Sequence, residues 1–372
     1  MASRLLLRAL LGAAVAQLTG CAGGDANDGA RRSDSGFASD ARGPQDEGGA
    51  TTGGAVPDVF APPPDVPVSF PDVATPPDVS SPPLDASVPP RDASAIDGPR
   101  ADGAPPDRGA IDGSGTLRCN GYQELCDRRF DQVVFPATHN AMSNADDAWV
   151  APNQTHPMLR QLQDGIRAML IDTYSNAGVP TLCHSVCAYG SRPLADALRE
   201  MAQFLRDNPF EILTLVIEDH IPARDTDAVF VASGLAPFTY VHPAGAAWPT
   251  LRTMIMSGHR VVVGAETGMP PPAYYHHFYS LAWDTPYTFQ TPAQFSCAQN
   301  RGVRTNALFL LNHWLENPLP SESLSATANA HDMLLGRARQ CQMESGKLPN
   351  FVAVNHYSVG DLFAVVRELN GL

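Results

Sequence analysis

The sequence has no surplus of positive charge: 25 Lys and Arg stand against 39 Asp and Glu, for a formal net charge of −14. No basic excess is available to release counterions from a phosphate backbone, which argues against a nucleic-acid partner. A long apolar run is also missing. The N-terminal run, Leu5 to Leu7 and then Leu10 to Ala16 beside Arg4 and Arg8, is too short to span a bilayer. Large apolar residues are sparse from residue 22 to 118, too sparse to offset chain entropy by burial. Neither a polybasic patch nor a separate apolar helix for membrane insertion stands out. Cys183-His184-Ser185-Val186-Cys187 has no second Cys/His pair at a finger-like distance, which argues against structural zinc.

What is present falls into three segments. Residues 1–21 read as an export signal ending in Leu18-Thr19-Gly20-Cys21. That ending resembles the lipobox of bacterial lipoproteins. The resemblance implies that Cys21 is acylated and becomes the new N-terminus, anchored stably by its acyl chains. Ala22 after it implies an outer-membrane or cell-surface address in a bacterial envelope. Residues 22–118 hold 16 of the 34 prolines and 16 acidic residues against seven arginines, with repeats such as Pro57-Asp58-Val59, Pro64-Asp65-Val66 and Pro71-Asp72-Val73. This composition predicts a disordered, extended linker. Residues 119–372 have the composition of one globular domain.

In that domain, apolar runs of strand length alternate with amphipathic helical stretches. Strands are predicted at Gln132–Ala137, Ala168–Asp172, Ile212–Glu218, Arg260–Ala265, Ala307–Asn312 and Asn350–Asn355. Helices are predicted at Met158–Asp164, Pro193–Asp207, Thr250–Ser257, Ala326–Ser345 and Asp361–Leu369. Alternation of this kind favours a parallel sheet, and six to eight repeats in this length favour a closed α/β barrel. Six cysteines, Cys119, Cys126, Cys183, Cys187, Cys297 and Cys341, suggest disulfides in an exported domain. Proximity pairs them in the order written, although six cysteines allow 15 connectivities.

Chemistry gathers at the C-terminal ends of the predicted strands. The first runs into His139-Asn140, the second ends in Asp172, an extended piece from Pro180 delivers His184, and the third ends in Glu218-Asp219. In a barrel this end carries the active site, because its loops converge on one mouth. The set suits a phosphodiester: two histidines can divide acid and base roles, and Asn140, Asp172 and Glu218 are hard oxygen donors for Ca²⁺ or Mg²⁺. Tyr274 to His277, Trp283, Asp284, Tyr287, Asn312 and His313 are aromatic or hydrogen-bonding candidates for the substrate mouth.

Cys119 to Cys126 followed by Phe135-Pro136-Ala137-Thr138-His139-Asn140 resembles the opening of phosphatidylinositol-specific phospholipase C X domains, in particular the PLC-like phosphodiesterases of fungi, plants and bacteria. Asp164 to Asp172, Leu182 to Ser185, Phe204 to Asn208, Ile212 to His220, Cys297 to Gly302, Leu310 to Trp314 and Pro349 to Tyr357 continue the likeness in register. It implies a distorted (β/α)8 TIM barrel that cleaves a phosphodiester, with His139 as general base, His184 as general acid and a cyclic phosphate as product. The resemblance also implies a metal choice. Metal-independent members carry an arginine where Asp172 stands; calcium-dependent members use Asn140, a Glu-x-Asp and Glu218, and here Leu170 replaces the first Glu of that motif. Ca²⁺ is therefore expected, with one ligand fewer. The expected partners are a phospholipid or other phosphodiester and, through Cys21, a membrane; the protein is expected to be a monomer. Two other readings compete: a glycerophosphodiester or sphingomyelinase D-like phosphodiesterase, and a catalytically silent surface binding module on the same barrel.

Overall fold

The computed structural model describes residues 117–372. The export signal, Cys21 and nearly all of the linker lie outside the described residues. Eight parallel strands follow one another round a barrel: β1 (Phe135–Thr138), β2 (Ala168–Asn176), β5 (Leu213–Asp219), β6 (Val261–Ala265), β7 (Tyr275–His277), β8 (Ala282–Asp284), β9 (Leu308–Asn312) and β10 (Phe351–Val354). Two short strands, β3 (Val179–Leu182) and β4 (Arg192–Pro193), extend β2 antiparallel. The first and last barrel strands pair, Phe135 opposite Phe351, and close the circle. The ladder has one gap among the described residues: β7 and β8 are not hydrogen-bonded and are joined by the single-turn helix α5 (Phe278–Leu281). This is a distorted TIM barrel with an open seam.

The helices are α1 (Met158–Asp164), α2 (Leu194–Asp207), α3 (Ala223–Ser233), α4 (Leu251–Ser257), α6 (Glu322–Ala328), α7 (His331–Ser345) and α8 (Leu362–Leu369). Helix α2 buries Leu194, Leu198, Met201 and Leu205, the face its period predicts. The predicted Ala326–Ser345 helix is broken into α6 and α7. Asn329 stands at the break: its backbone amide still donates to the Ser325 oxygen, while its side-chain amide donates to the backbone oxygens of Asn355 and Val359. The sequence reading also missed α3, β7, β8 and β4, which are short or weakly amphipathic.

Side chains alternate across each strand, and two apolar layers result. Phe135, Ala137, Leu170, Val216, Val262, Leu310 and Ala353 fill the barrel, while Val134, Met169, Ile171, Ile217, Val263, Leu311 and Val352 face the helices. At one end the inner layer closes with aromatic rings, Phe130 lying 4.9 Å from Phe135 and 4.8 Å from Trp248. Gly264 sits at an inward position because Phe278 packs there: a Cβ on Gly264 would stand 2.6 Å from that ring. Disulfides join Cys119 to Cys126, Cys183 to Cys187 and Cys297 to Cys341, the proximity pairing. No helix among the described residues is long and apolar enough to cross a membrane.

Candidate active site

At the opposite end from the aromatic plug, the inward parity of each strand continues into polar residues. Two positions beyond Ala137 comes His139, beyond Leu170 Asp172, beyond Val216 Glu218, beyond Gly264 Glu266, beyond Ala282 Asp284, beyond Leu310 Asn312, and beyond Ala353 Asn355. The register places neighbours side by side, with Asp172 opposite Glu218. These ends surround an open cleft of about 410 Å³, lined by His139, Asn140, Asp172, Glu218, Glu266 and Arg301 together with Tyr287, Asn312 and Trp314.

His139 is held on every side. Gln154 donates from its amide to the backbone oxygens of His139 (2.7 Å) and Val354 (3.0 Å), tying the loop to the last strand. The imidazole stacks on Trp314 at 3.8 Å, nearly parallel. Its Nδ1 lies 2.9 Å from Asn355 Oδ1. An amide oxygen only accepts, so Nδ1 carries the proton and Nε2 keeps its lone pair. Burial drops the His139 pKa to about 3 against the pull of the Asn355 bond, and His184 and Arg301 push the same way. The ring is therefore neutral at neutral pH.

Asn140 adopts a positive φ of 45° and sets its amide 3.4–3.5 Å from both ring nitrogens of His184. Asn tolerates this conformation better than most residues. His184 follows β3 inside the loop closed by Cys183–Cys187. Burial lowers its pKa and Glu218 pulls it back up.

Charge in the cleft is lopsided. Three carboxylates, Asp172, Glu218 and Glu266, line it with the guanidinium of Arg301, and a fourth, Asp284, lies buried behind. That guanidinium donates to Asp284 Oδ2 from Nε (2.9 Å) and Nη2 (2.6 Å) and to Glu266 Oε2 from Nη1 (2.7 Å). It lies between the rings of Tyr279 and Tyr287, 4.6 and 4.9 Å from their centroids. Burial works against its charge, but Tyr279, Glu266 and Asp284 outweigh that and raise its pKa. Glu266 is pushed up to about 6, mainly by burial, with Arg301 opposing and Glu218 adding. Asp172 is only 4% exposed, and no described residue donates to its carboxylate or pairs with it. Burial and then the charges of Glu218 and Glu266 hold its pKa well above the usual carboxylate range.

A hard divalent cation fits this donor set. The carboxylate of Asp172, opposite Glu218 and lining the cleft with Asn140, is what such an ion seeks. The fit is of chemistry rather than of a finished cage, since among the described residues no three His, Cys, Asp or Glu side chains are gathered ready to hold a metal. Leu170 faces the same cleft and supplies no oxygen.

The structure brings His139, Asn140, Asp172, Glu218, Tyr287 and Asn312 to the cleft lining, and His184 joins them through Asn140. Asp284 stands behind Arg301, fully buried. Two candidate substrate residues are not at the mouth. Trp283 points outward between β8 and the helices, stacked on Phe309 at 3.9 Å. His313 also faces outward, its Nε2 2.7 Å from the oxygen of Ala328 and its Nδ1 facing Arg337. Strand alternation is the reason: Asp284 and Asn312 take the inward positions, so their neighbours cannot. Tyr274 and Tyr275 likewise pack against the helical layer. The sequence reading did not single out Arg301, Glu266, Asn355 or Glu316. Counting inward positions past Gly264 and Ala353 finds Glu266 and Asn355; nothing in strand periodicity reports a loop residue such as Arg301.

Fold and cleft together define a TIM-barrel protein with two histidines and several acids at the C-terminal mouth of the strands. A family model described as PI-PLC X 1 matches residues 125–370. The chain belongs to the PI-PLC X family. It is similar to an uncharacterized secreted protein of Arthroderma benhamiae, 29% identical over 290 residues, 69% of this chain and 65% of that one. It is similar also to a PI-PLC X domain-containing protein of Arabidopsis thaliana, 27% identical over 276 residues, 65% and 62%. The chain thus spans a little under two-thirds of the length of these two relatives. A phosphatidylinositol-specific phospholipase C from Listeria monocytogenes matches in structure with a TM-score of 0.44 and 18% identity, over 66% of this chain and 94% of that one.

Proposed function

We propose that the chain is an exported phosphodiesterase that uses His139 as general base and His184 as general acid on a phosphodiester with a neighbouring hydroxyl, of phosphoinositide type. The observation that carries the proposal is the 2.9 Å contact between His139 Nδ1 and Asn355 Oδ1, which assigns the proton to Nδ1. That Nδ1–H is committed to Asn355, so Nε2 is free to take the proton of the substrate hydroxyl. The hydroxyl oxygen then attacks phosphorus, the bond from phosphorus to the leaving oxygen breaks, and His184 delivers a proton to that oxygen. The product is a cyclic phosphate, which water can open by the reverse assignment of roles.

The electrostatics of the cleft call for a cation. One guanidinium already shared by Glu266 and Asp284 leaves Asp172 without a cationic partner, Glu218 has only the half-exposed His220 ring at 2.8 Å, and a phosphodiester adds a further negative charge. Ca²⁺, or Mg²⁺ in its place, would be held by Asn140, Asp172 and Glu218 and would supply charge neutralisation at the phosphoryl oxygens. The protein's own part is to fix the histidines, and Trp314 and Asn355 do so for the base.

Three disulfides agree with an oxidising, extracytoplasmic compartment. Lipid anchoring through Cys21 at a bacterial surface is the finer part of the proposal and rests on the N-terminal sequence; the curated relatives above are fungal and plant proteins. Loss of fatty-acid labelling in Cys21→Ala is the expected result, and unchanged labelling refutes the anchor.

The test of the activity is an assay of the purified protein against phosphatidylinositol and a panel of other phosphodiesters, with Ca²⁺ and then with EDTA. Release of a cyclic phosphate that stops in chelator is expected. Full activity in chelator sinks the cation, and a folded protein that turns over no phosphodiester sinks the enzyme and favours a binding module.

A further inference from the structure

Three asparagines link the two histidines of the cleft. Asn355 sets Oδ1 2.9 Å from His139 Nδ1, and the amide nitrogen of Asn153 donates to that same oxygen at 3.3 Å. The amide nitrogen of Asn140 donates to Asn153 Oδ1 at 3.4 Å and stands 3.4–3.5 Å from both ring nitrogens of His184. All three side chains are buried, so their partners are supplied by the protein.

Such a chain has a direction that the asparagines cannot choose. A primary amide offers an acceptor on one side and donors on the other, and turning all three over together exchanges every donor for an acceptor. The two directions differ for His139. In the one found, an oxygen faces Nδ1, which then carries the proton. In the reverse, an NH2 group faces Nδ1, which is then bare, and the proton moves to Nε2 on the cleft. The choice has to come from a group at the end of the chain that is the same either way up.

Glu316, in the loop after β9, stands at that end. Its Oε1 accepts from Asn355 Nδ2 at 3.5 Å, and its carboxylate has no other hydrogen bond and no cation among the described residues. The contact is long, but the acceptor carries a charge in a buried setting, where it orients an amide strongly. Its own backbone amide, donating to the oxygen of Phe289 at 2.9 Å, holds the residue in place. Both oxygens of a carboxylate only accept, so turning the group over changes nothing. Burial raises the Glu316 pKa, and the Asn355 bond, which favours the ionised form, opposes the rise. We propose that Glu316 is a positioning residue: it orients Asn355, and through it the amide chain, so that His139 keeps its proton on Nδ1 and its lone pair on the cleft. Glu316 is not part of the cleft lining and acts only through Asn355. The consequence for turnover, though not for the tautomer, rests on His139 being the base.

The experiment reads the His139 ring by 15N NMR of the histidine-labelled protein, its signals assigned by their loss in His139→Ala. Protonated and bare ring nitrogens resonate far apart, so the tautomer is seen whether or not a substrate is turned over. The unaltered protein should show Nδ1–H. Glu316→Leu removes the acceptor, and Glu316→Gln replaces it with an amide that can present either atom. Both should bring up an Nε2–H signal, the tautomer ratio moving at least about tenfold with the loss of one hydrogen bond to a charged group. In each variant kcat/KM should fall in proportion to the Nδ1–H that remains. A ring protonated at Nε2 in the unaltered protein, or an Nδ1–H signal unmoved in the folded variants, overturns the proposal. If Glu316→Leu does not fold, the isosteric Glu316→Gln decides alone. Should no phosphodiester be turned over, the base reading fails and the tautomer still decides the role of Glu316.

Discussion

Asn312 and His313 are adjacent in the chain and both fully buried, yet they lie on opposite faces of the barrel wall. Asn312 donates to Asp284 and to the oxygen of Thr285 at the edge of the cleft. His313 is packed beneath Phe295 in the helical layer, with Arg337 and the Ala328 oxygen as its partners. The same contrast separates two histidines, His139 and His313. His139 and His313 are both stacked on an aromatic ring and both have a pKa lowered to about 3, chiefly by burial. Only His139 has a nitrogen on the cleft. A perturbed pKa therefore marks burial on both faces and a cleft on only one, and strand parity tells them apart.

Substitutions can break or sharpen this contrast. The largest effect is expected from His139→Ala, which should lower phosphodiester turnover by at least about a thousandfold in steady-state assays, whereas His313→Gln should keep turnover within about tenfold. Equal losses in the two variants would abolish the distinction between the faces. Next comes Arg301→Met. It leaves Asp284, 0% exposed, without its cation, and a stability loss of roughly 3–5 kcal/mol is expected from urea titration. A much smaller loss would mean that Asn312 and Tyr279 already satisfy Asp284.

The smallest effect concerns the outer face alone. His313 takes up its proton near pH 3 in the fold but near 6.5 when unfolded. Stability that is complete above pH 6.5 must then fall as the pH drops from 6.5 towards 3, since the unfolded chain binds the proton first. The full contribution is of order 3–5 kcal/mol, and about 1–2 kcal/mol should be lost by pH 5. His313→Gln should flatten that part of a plot of unfolding midpoint against pH. An unchanged slope would assign the acid sensitivity to other groups.

Much of the architecture was legible because long, apolar strands and the α2 stripe carry strong periodicity. The histidines and acids were legible as strand-end residues of a barrel. What residue type could not give was face. Trp283 and His313 were expected at the mouth because their residue types suit a ligand, but each is one position out of phase with Asp284 and Asn312. Arg301 was hidden for a different reason. It reaches the cleft from the loop between β8 and β9, whose path is set by its own backbone amide donating to Asp284 Oδ1 at 2.7 Å, a tertiary contact with no local signature. The α6–α7 break was hidden likewise, since the Asn329 side chain that caps α6 binds backbone from beyond β10.

The closure of β1 on β10 also governs timing. Phe135 meets Phe351 only after nearly the whole domain has been threaded between them. Ladders that join such distant residues carry the largest loop-closure entropy and slow the search for the native state. Asn355, which fixes the tautomer of His139, arrives with β10. A barrel missing its last strand lacks both Asn355 and the Val354 oxygen to which the His139 amide donates, so His139 takes its place in the cleft only as the circle shuts.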